Sequence, residues 1–152
     1  MSATQVSEDD IIRQLATEIR ILEGTVTALQ SRLDIVRAAM SETTLAHGTL
    51  DGLKKLQNGD SVLVPVGAGS YVQMTIADSK KLIMGIGADA AMEKNVEDSL
   101  EELKSRLQEL DRTRTAIQQQ LDQTLGRYQQ DRDALEDLLR KRETKTPNRQ
   151  AG

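Results

Sequence analysis

VLVPVGAGSYVQMTIADSKKLIMGIGADAAMEK, residues 62–94, is the stretch on which the fold turns. Val62, Leu63, Val64, Pro65 and Val66 read as a strand, and Pro65, which has no N–H to give a ladder, confines it to an edge or interrupts it. Gly67-Ala68-Gly69-Ser70 reads as a hairpin turn, because glycine reaches positive φ without steric cost. Val72, Met74 and Ile76 then alternate with Tyr71, Gln73 and Thr75, the pattern of a half-buried strand. Residues 77–81 form a loop. Leu82, Met84 and Ile86 alternate again, with Gly85 and Gly87 on the opposite phase. Gly87-Ala88-Asp89 can turn a second hairpin into Ala90-Ala91-Met92-Glu93, although alanine and methionine would suit a helix equally. The expectation is a β segment over 60–94 made of two hairpins.

On either side lie helices. Upstream, Ile12, Leu15, Ile19, Leu22, Val26, Leu29, Leu33, Val36 and Met40 step 3-4-3-4 without a miss. Downstream, Val96, Leu100, Leu103, Leu107, Leu110, Ile117, Leu121, Tyr128, Leu135 and Leu138 share one register. A sustained 3-4 step keeps a narrow apolar line facing a partner helix, which is a coiled-coil seam. Ser7 and Asp10 resemble a capping box, so the first helix is expected over 8–56. Gly24 lies within it at a cost of about 1 kcal/mol against Ala. Thr43 and His47 occupy two core steps before Leu50, and Asn58-Gly59 stops the helix. Asn95 is an N-cap for a second helix over 95–143, and Pro147 ends any order in a polar tail, 144–152. The fold class is mainly α: a long antiparallel coiled-coil hairpin with two β-hairpins inserted between its helices.

Composition narrows the function. Of the 152 residues, 29% are charged and none is Phe or Trp, so a thick globular core lacks the large rings that normally fill it. Charges of both signs are mixed along the helices, leaving no broad basic face, and two tyrosines are too few aromatics to stack bases. Arg140, Lys141, Arg142, Lys145 and Arg149 form one basic cluster. It reads either as a helix end complementing its dipole or as a docking tail for an acidic partner. Cysteine is absent, which excludes disulfides and thiolate metal sites. The opening MSATQVSEDD carries no secretory signal, and no apolar run approaches a membrane span of ~20 residues, so a soluble cytoplasmic protein is expected.

Two isolated hairpins bury too little surface to offset chain entropy, and their open edges invite pairing. Closing sheets from several subunits into one barrel resolves this, making the β segment an assembly module and the helices what it displays. Folded back antiparallel, the helices place Leu29 against Ile117 and Leu22 against Thr124, with Ile12 and Leu15 near Leu135 and Asp131. Arg114, Thr124 and Asp131 interrupt the second stripe. They read either as register specification or as a deliberately loose end that exposes apolar groups for binding.

The order of parts, with LVPVGAGSYV at 63–72 and KKLIMGIGADAAMEKN at 80–95, resembles the alpha class of the prefoldin family, whose beta class carries one hairpin. The resemblance covers nearly the whole chain. It implies a hexamer of two alpha and four beta subunits, with Val64, Val66, Val72, Met74, Ile76, Leu82, Met84 and Ile86 in a shared β-barrel platform. It implies ATP-independent capture of unfolded clients at the coiled-coil tips and delivery to a group II chaperonin, without cofactor, metal, membrane or nucleic acid. By their place on the arm, the capture positions would be Ile11, Ile12, Leu15, Ile19, Leu135, Leu138 and Leu139.

Enzymatic readings find little support. Gly67-x-Gly69 lacks the third glycine, the following helix and the Lys-Ser/Thr of a phosphate loop. His47 is the only histidine, and it occupies a seam step. Glu101-Glu102 and Glu136-Asp137 lie on solvated helix faces, with no nucleophile beside a base, so no catalytic residue is expected. Besides the chaperone, a structural coiled-coil adaptor with one dedicated partner fits the same features. A third reading, the helical arm of a nucleic-acid enzyme, fits poorly with the acidic balance.

Overall fold

The computed structural model describes residues 6–145. Helix α1 spans Glu8–Leu53, followed by strands β1 Ser61–Gly67, β2 Ser70–Thr75, β3 Lys81–Gly87 and β4 Ala90–Asn95, and by helix α2, Val96–Lys145. Pro147, Arg149 and the tail beyond Lys145 lie outside the described residues. The capping box opens α1: the Asp10 amide donates to Ser7 Oγ at 3.2 Å while the Ser7 amide donates to Asp10 Oδ2 at 3.4 Å. The helix ends at Leu53 rather than Leu56, since Lys55 and Leu56 already make short turns back to Gly52 and Leu53. Asn95 caps α2 with Oδ1 accepting from the Glu97 and Asp98 amides at 2.9 and 3.1 Å. The helix continues two residues past 143.

The chain forms two compact units. In the central unit, Val36–Thr113, the two strand pairs form separate two-stranded antiparallel sheets, β1-β2 and β3-β4. Both hairpins use the same turn. Ala68 and Gly69 lie at φ 49° and 72°, and Ala88 and Asp89 at 50° and 57°, the doubly positive pair of a type I′ connection. Each turn follows a register shift, between Pro65 and Gly67 and between Gly85 and Gly87, where the glycine adopts φ near 100°. The alanine-rich segment 90–95 is therefore strand: pairing with β3 overrides its helical leaning. The helical core of this unit is Val96, Leu100 and Leu103, with Thr43 and Ser99 buried beside them. Their hydroxyls donate to the backbone oxygens of Ala39 and Asn95, which buries two small polar groups without a lost hydrogen bond.

The terminal unit pairs the first part of α1 with the last part of α2. Leu29, Leu33, Ile117 and Leu121 are its buried apolar layers, all of them seam positions. Toward the chain ends the seam is half-buried at Ile12, Leu15, Ile19, Leu22, Leu135 and Leu138. Tyr128 reaches across to α1, its hydroxyl donating to Glu23 at 3.1 Å. Thr124, half-buried like Leu22, donates its hydroxyl to the Gln120 carbonyl at 2.7 Å.

Leu33→Ala should cost about 2–4 kcal/mol by opening a cavity in a two-helix layer, and Asn95→Ala about 1 kcal/mol by orphaning two amides. Denaturant unfolding followed by helical circular dichroism would measure both, and equal costs would contradict this ranking.

Candidate functional site

Two surfaces stand out, one in each unit. The first is the hairpin pair. A short network fixes where the hairpins leave the helices. The Gly59 amide donates to the Ile76 carbonyl at 2.8 Å, the Ile76 amide returns the bond to the Asp60 carbonyl at 2.9 Å, and the Val96 amide donates to the Lys80 carbonyl at 2.9 Å. Asn58 Oδ1 accepts from the Ser79 amide at 2.8 Å, tying the inter-hairpin loop to the end of α1. Among the described residues each strand has a single partner, so every strand keeps an open edge. Lys81 and Glu93 pair at 3.0 Å on the second hairpin. The hydrogen bond to Glu93, then its charge and that of Asp78, push the Lys81 ammonium above its ordinary value. Any stability from that pair is present at neutral pH and is lost only as alkaline pH rises through the raised value. Lys94 also contacts Glu102.

Register sorts the hairpin side chains by face. Val64 pairs with Val72 and Val62 with Met74, so these four share one face; Leu82, Met84 and Met92 do so on the second hairpin. Of the expected barrel residues, Val64, Ile76, Leu82 and Met84 are half-buried, while Val66, Val72, Met74 and Ile86 are exposed. Leu63 and Ile83, 68% and 78% exposed, lie on the opposite faces, where simple alternation does not look for them; Tyr71 is also exposed. A signal for them exists: β1 is apolar at five consecutive positions, and a run without alternation marks a strand covered on both faces.

The second surface is in the terminal unit. Ile19, Tyr128, Leu135 and Leu139 line a groove with Glu23, Arg132 and Glu136 at its edges. Ile11 and Leu139 are exposed, and Ile12, Leu15, Ile19, Leu135 and Leu138 are half-buried, so the expected capture positions all fall within one unit. Asp131, on the seam, is buried, its Oδ1 accepting from Arg127 Nε at 3.2 Å. Its Oδ2 is buried with no hydrogen-bond partner among the described residues. Arg127 also donates to Glu18 at 2.7 Å, and the charges of Asp131 and Glu18 raise its pKa further. The basic cluster is largely engaged: Arg140 meets Glu136 at 2.8 Å, Arg142 meets Asp9 at 2.7 Å and Lys145 approaches Glu8 at 3.5 Å. These contacts favour the helix-end reading over a docking tail.

His47 is half-buried at its seam step. Among the described residues no group of His, Asp or Glu is placed to hold a metal ion, and no helix is long and apolar enough to cross a membrane.

A family model described as Prefoldin subunit matches residues 22–141. The chain is 34% identical over 110 residues to prefoldin subunit alpha of Methanopyrus kandleri, covering 72% of this chain and 70% of that one. To prefoldin subunit alpha of Methanosarcina barkeri it is 31% identical over 135 residues, or 87% of this chain and 90% of the relative. Among solved structures, the filamentous PFD from Methanocaldococcus jannaschii, seen by cryo-EM, superposes with a TM-score of 0.63 at 22% identity. It covers 75% of this chain and 94% of its own.

Leu63→Lys with Ile83→Lys should lower binding of a hydrophobic dye to the isolated chain roughly twofold while leaving its helical circular dichroism unchanged. An unaltered dye signal would show that these faces are not the accessible apolar surface.

Proposed function

The chain belongs to the prefoldin family and is a chaperone subunit, and from that premise we propose that it acts without ATP, holding unfolded proteins at the ends of its helices. The hairpins join those of beta-class subunits in a barrel platform, two alpha with four beta. Val64, Val66, Val72, Met74, Ile76, Leu82, Met84 and Ile86 are the proposed platform residues, joined by Leu63 and Ile83 on the second faces. Ile11, Ile12, Leu15, Ile19, Leu135, Leu138 and Leu139 contact the client, which passes to a group II chaperonin in the cytoplasm. The chain performs no covalent chemistry in this scheme.

The observation that carries the capture reading is Asp131. A buried carboxylate oxygen without a partner costs about 1–3 kcal/mol. It sits on the seam between the half-buried Ile19 and Leu135 layers, where an apolar residue would have strengthened the pairing. The seam is weakest beside the side chains that a client would need. Unfolded clients offer scattered apolar segments, and several weak sites on one assembly gain avidity through effective concentration. Weak individual contacts also allow release without fuel.

Mixed with a beta-class subunit, the chain should suppress aggregation of an unrelated denatured protein without ATP, and Ile11→Ser with Leu139→Ser should weaken that suppression roughly severalfold. Met84→Asp should prevent assembly, read as the mass of the complex. Asp131→Leu should raise stability by about 1–3 kcal/mol and slow exchange at the helix ends. An assembled complex that fails to suppress aggregation would favour the adaptor reading.

A further inference from the structure

The outward face of α1 in the terminal unit does not look like the solvated side of a two-helix pair. Ile21, Gly24, Ala28, Ser31 and Ile35 step 3-4-3-4, parallel to the seam but on the far side of the helix. All five are exposed, Ile21 by 63% and Ile35 by 69%. Outward positions of a coiled coil normally carry charge, since nothing covers them. On α2 the corresponding positions are mostly polar, Gln119, Gln123, Gln130 and Asp133, with small Ala116 and Gly126 among them. A second stripe that bears exposed isoleucines therefore belongs to α1 alone, and its length of 14 steps is about 21 Å.

We propose that this stripe is a self-association surface, on which α1 of a second copy of this chain packs antiparallel. Antiparallel pairing sets Ile21 against Ser31 of the second copy, Gly24 against Ala28, and Ile35 against Thr17. Each isoleucine then meets a short side chain, and glycine opposite alanine permits close approach. The flanking charges also match: Arg20 reaches the level of Asp34 of the second copy, and Glu18 that of Arg32. Parallel pairing stacks Ile21 on Ile21 and brings Arg20 beside Thr25 and Thr27 beside Arg32, leaving Arg13 beside Glu18 as its one pair of opposite charges. Complementarity of both size and sign selects the antiparallel arrangement and a second copy as the occupant. Four or five layers make a small interface, so the association is reversible.

The absence of cysteine makes the test direct. Full-length Ile21→Cys is mixed with full-length Ser31→Cys under glutathione disulfide, with and without the beta-class subunit. The mixed 21–31 disulfide should form about tenfold faster than the Ile21→Cys homodimer, reflecting a raised effective concentration. Adding Ile35→Lys to both chains should remove that excess, with helical circular dichroism confirming the fold. Homodimers of Ile21→Cys forming faster than the mixed pair would overturn the antiparallel arrangement. Mixed disulfides no faster than those of a Gln123→Cys control on α2 would overturn the surface itself. If the beta-class subunit shields the introduced thiol of Ile21→Cys and no cross-link forms, the face belongs to that partner. That result overturns the proposal and leaves the capture reading intact.

Discussion

A two-stranded antiparallel sheet satisfies one edge of each strand and leaves the other open, and this chain carries two such sheets, neither of which gains a third strand among the described residues. Leu63 and Ile83 on one face, and Val72, Met74 and Met92 on the other, present apolar surface that a lone hairpin cannot cover. Hairpins of this size are marginal in water without further strands or a packing partner. What holds these two in shape is local chemistry: paired positive-φ turns, a bulge before each turn, and the Asn58 and Val96 hydrogen bonds that anchor their bases. Local chemistry thus fixes the geometry of the hairpins while their apolar faces stay exposed, whereas the helices cover a thin apolar seam of their own.

Most of the architecture can be read from periodicity. The 3-4 steps of both helices, the caps at Ser7 and Asn95 and the turn at Asn58-Gly59 each follow from a local rule, and the structure obeys all of them. Less legible are features set by partners distant in sequence. Helical propensity leaves 90–93 ambiguous, and only the β3 ladder decides it. Tyr128 reaches across the seam to hydrogen-bond Glu23, a contact that spacing alone does not announce. Leu63 and Ile83 escape a search for alternation, because their segment is apolar on both faces. At the terminal surface the sequence flags Asp131 as a break. It does not reveal that one carboxylate oxygen is buried and unpaired, which depends on how Arg127 is shared with Glu18.

The terminal unit distributes its strength unevenly. Leu29, Leu33, Ile117 and Leu121 are buried apolar layers whose removal is expensive. Toward the chain ends the seam is half-buried and carries a charge, and the cross-helix contacts there are ion pairs between exposed side chains, such as Asp9–Arg142 and Glu8–Lys145. Exposed pairs contribute little and weaken further with salt. Local opening should therefore begin at the ends and stop at the apolar layers, because each layer reached costs more than the last. Opening in this order uncovers Ile12, Ile19 and Leu135 while the helices stay joined at Leu29 and Leu121. A seam that was uniformly apolar would resist such opening, and one that was uniformly polar would not pair the helices at all. Only a graded seam makes apolar groups available at one end while preserving the frame that presents them.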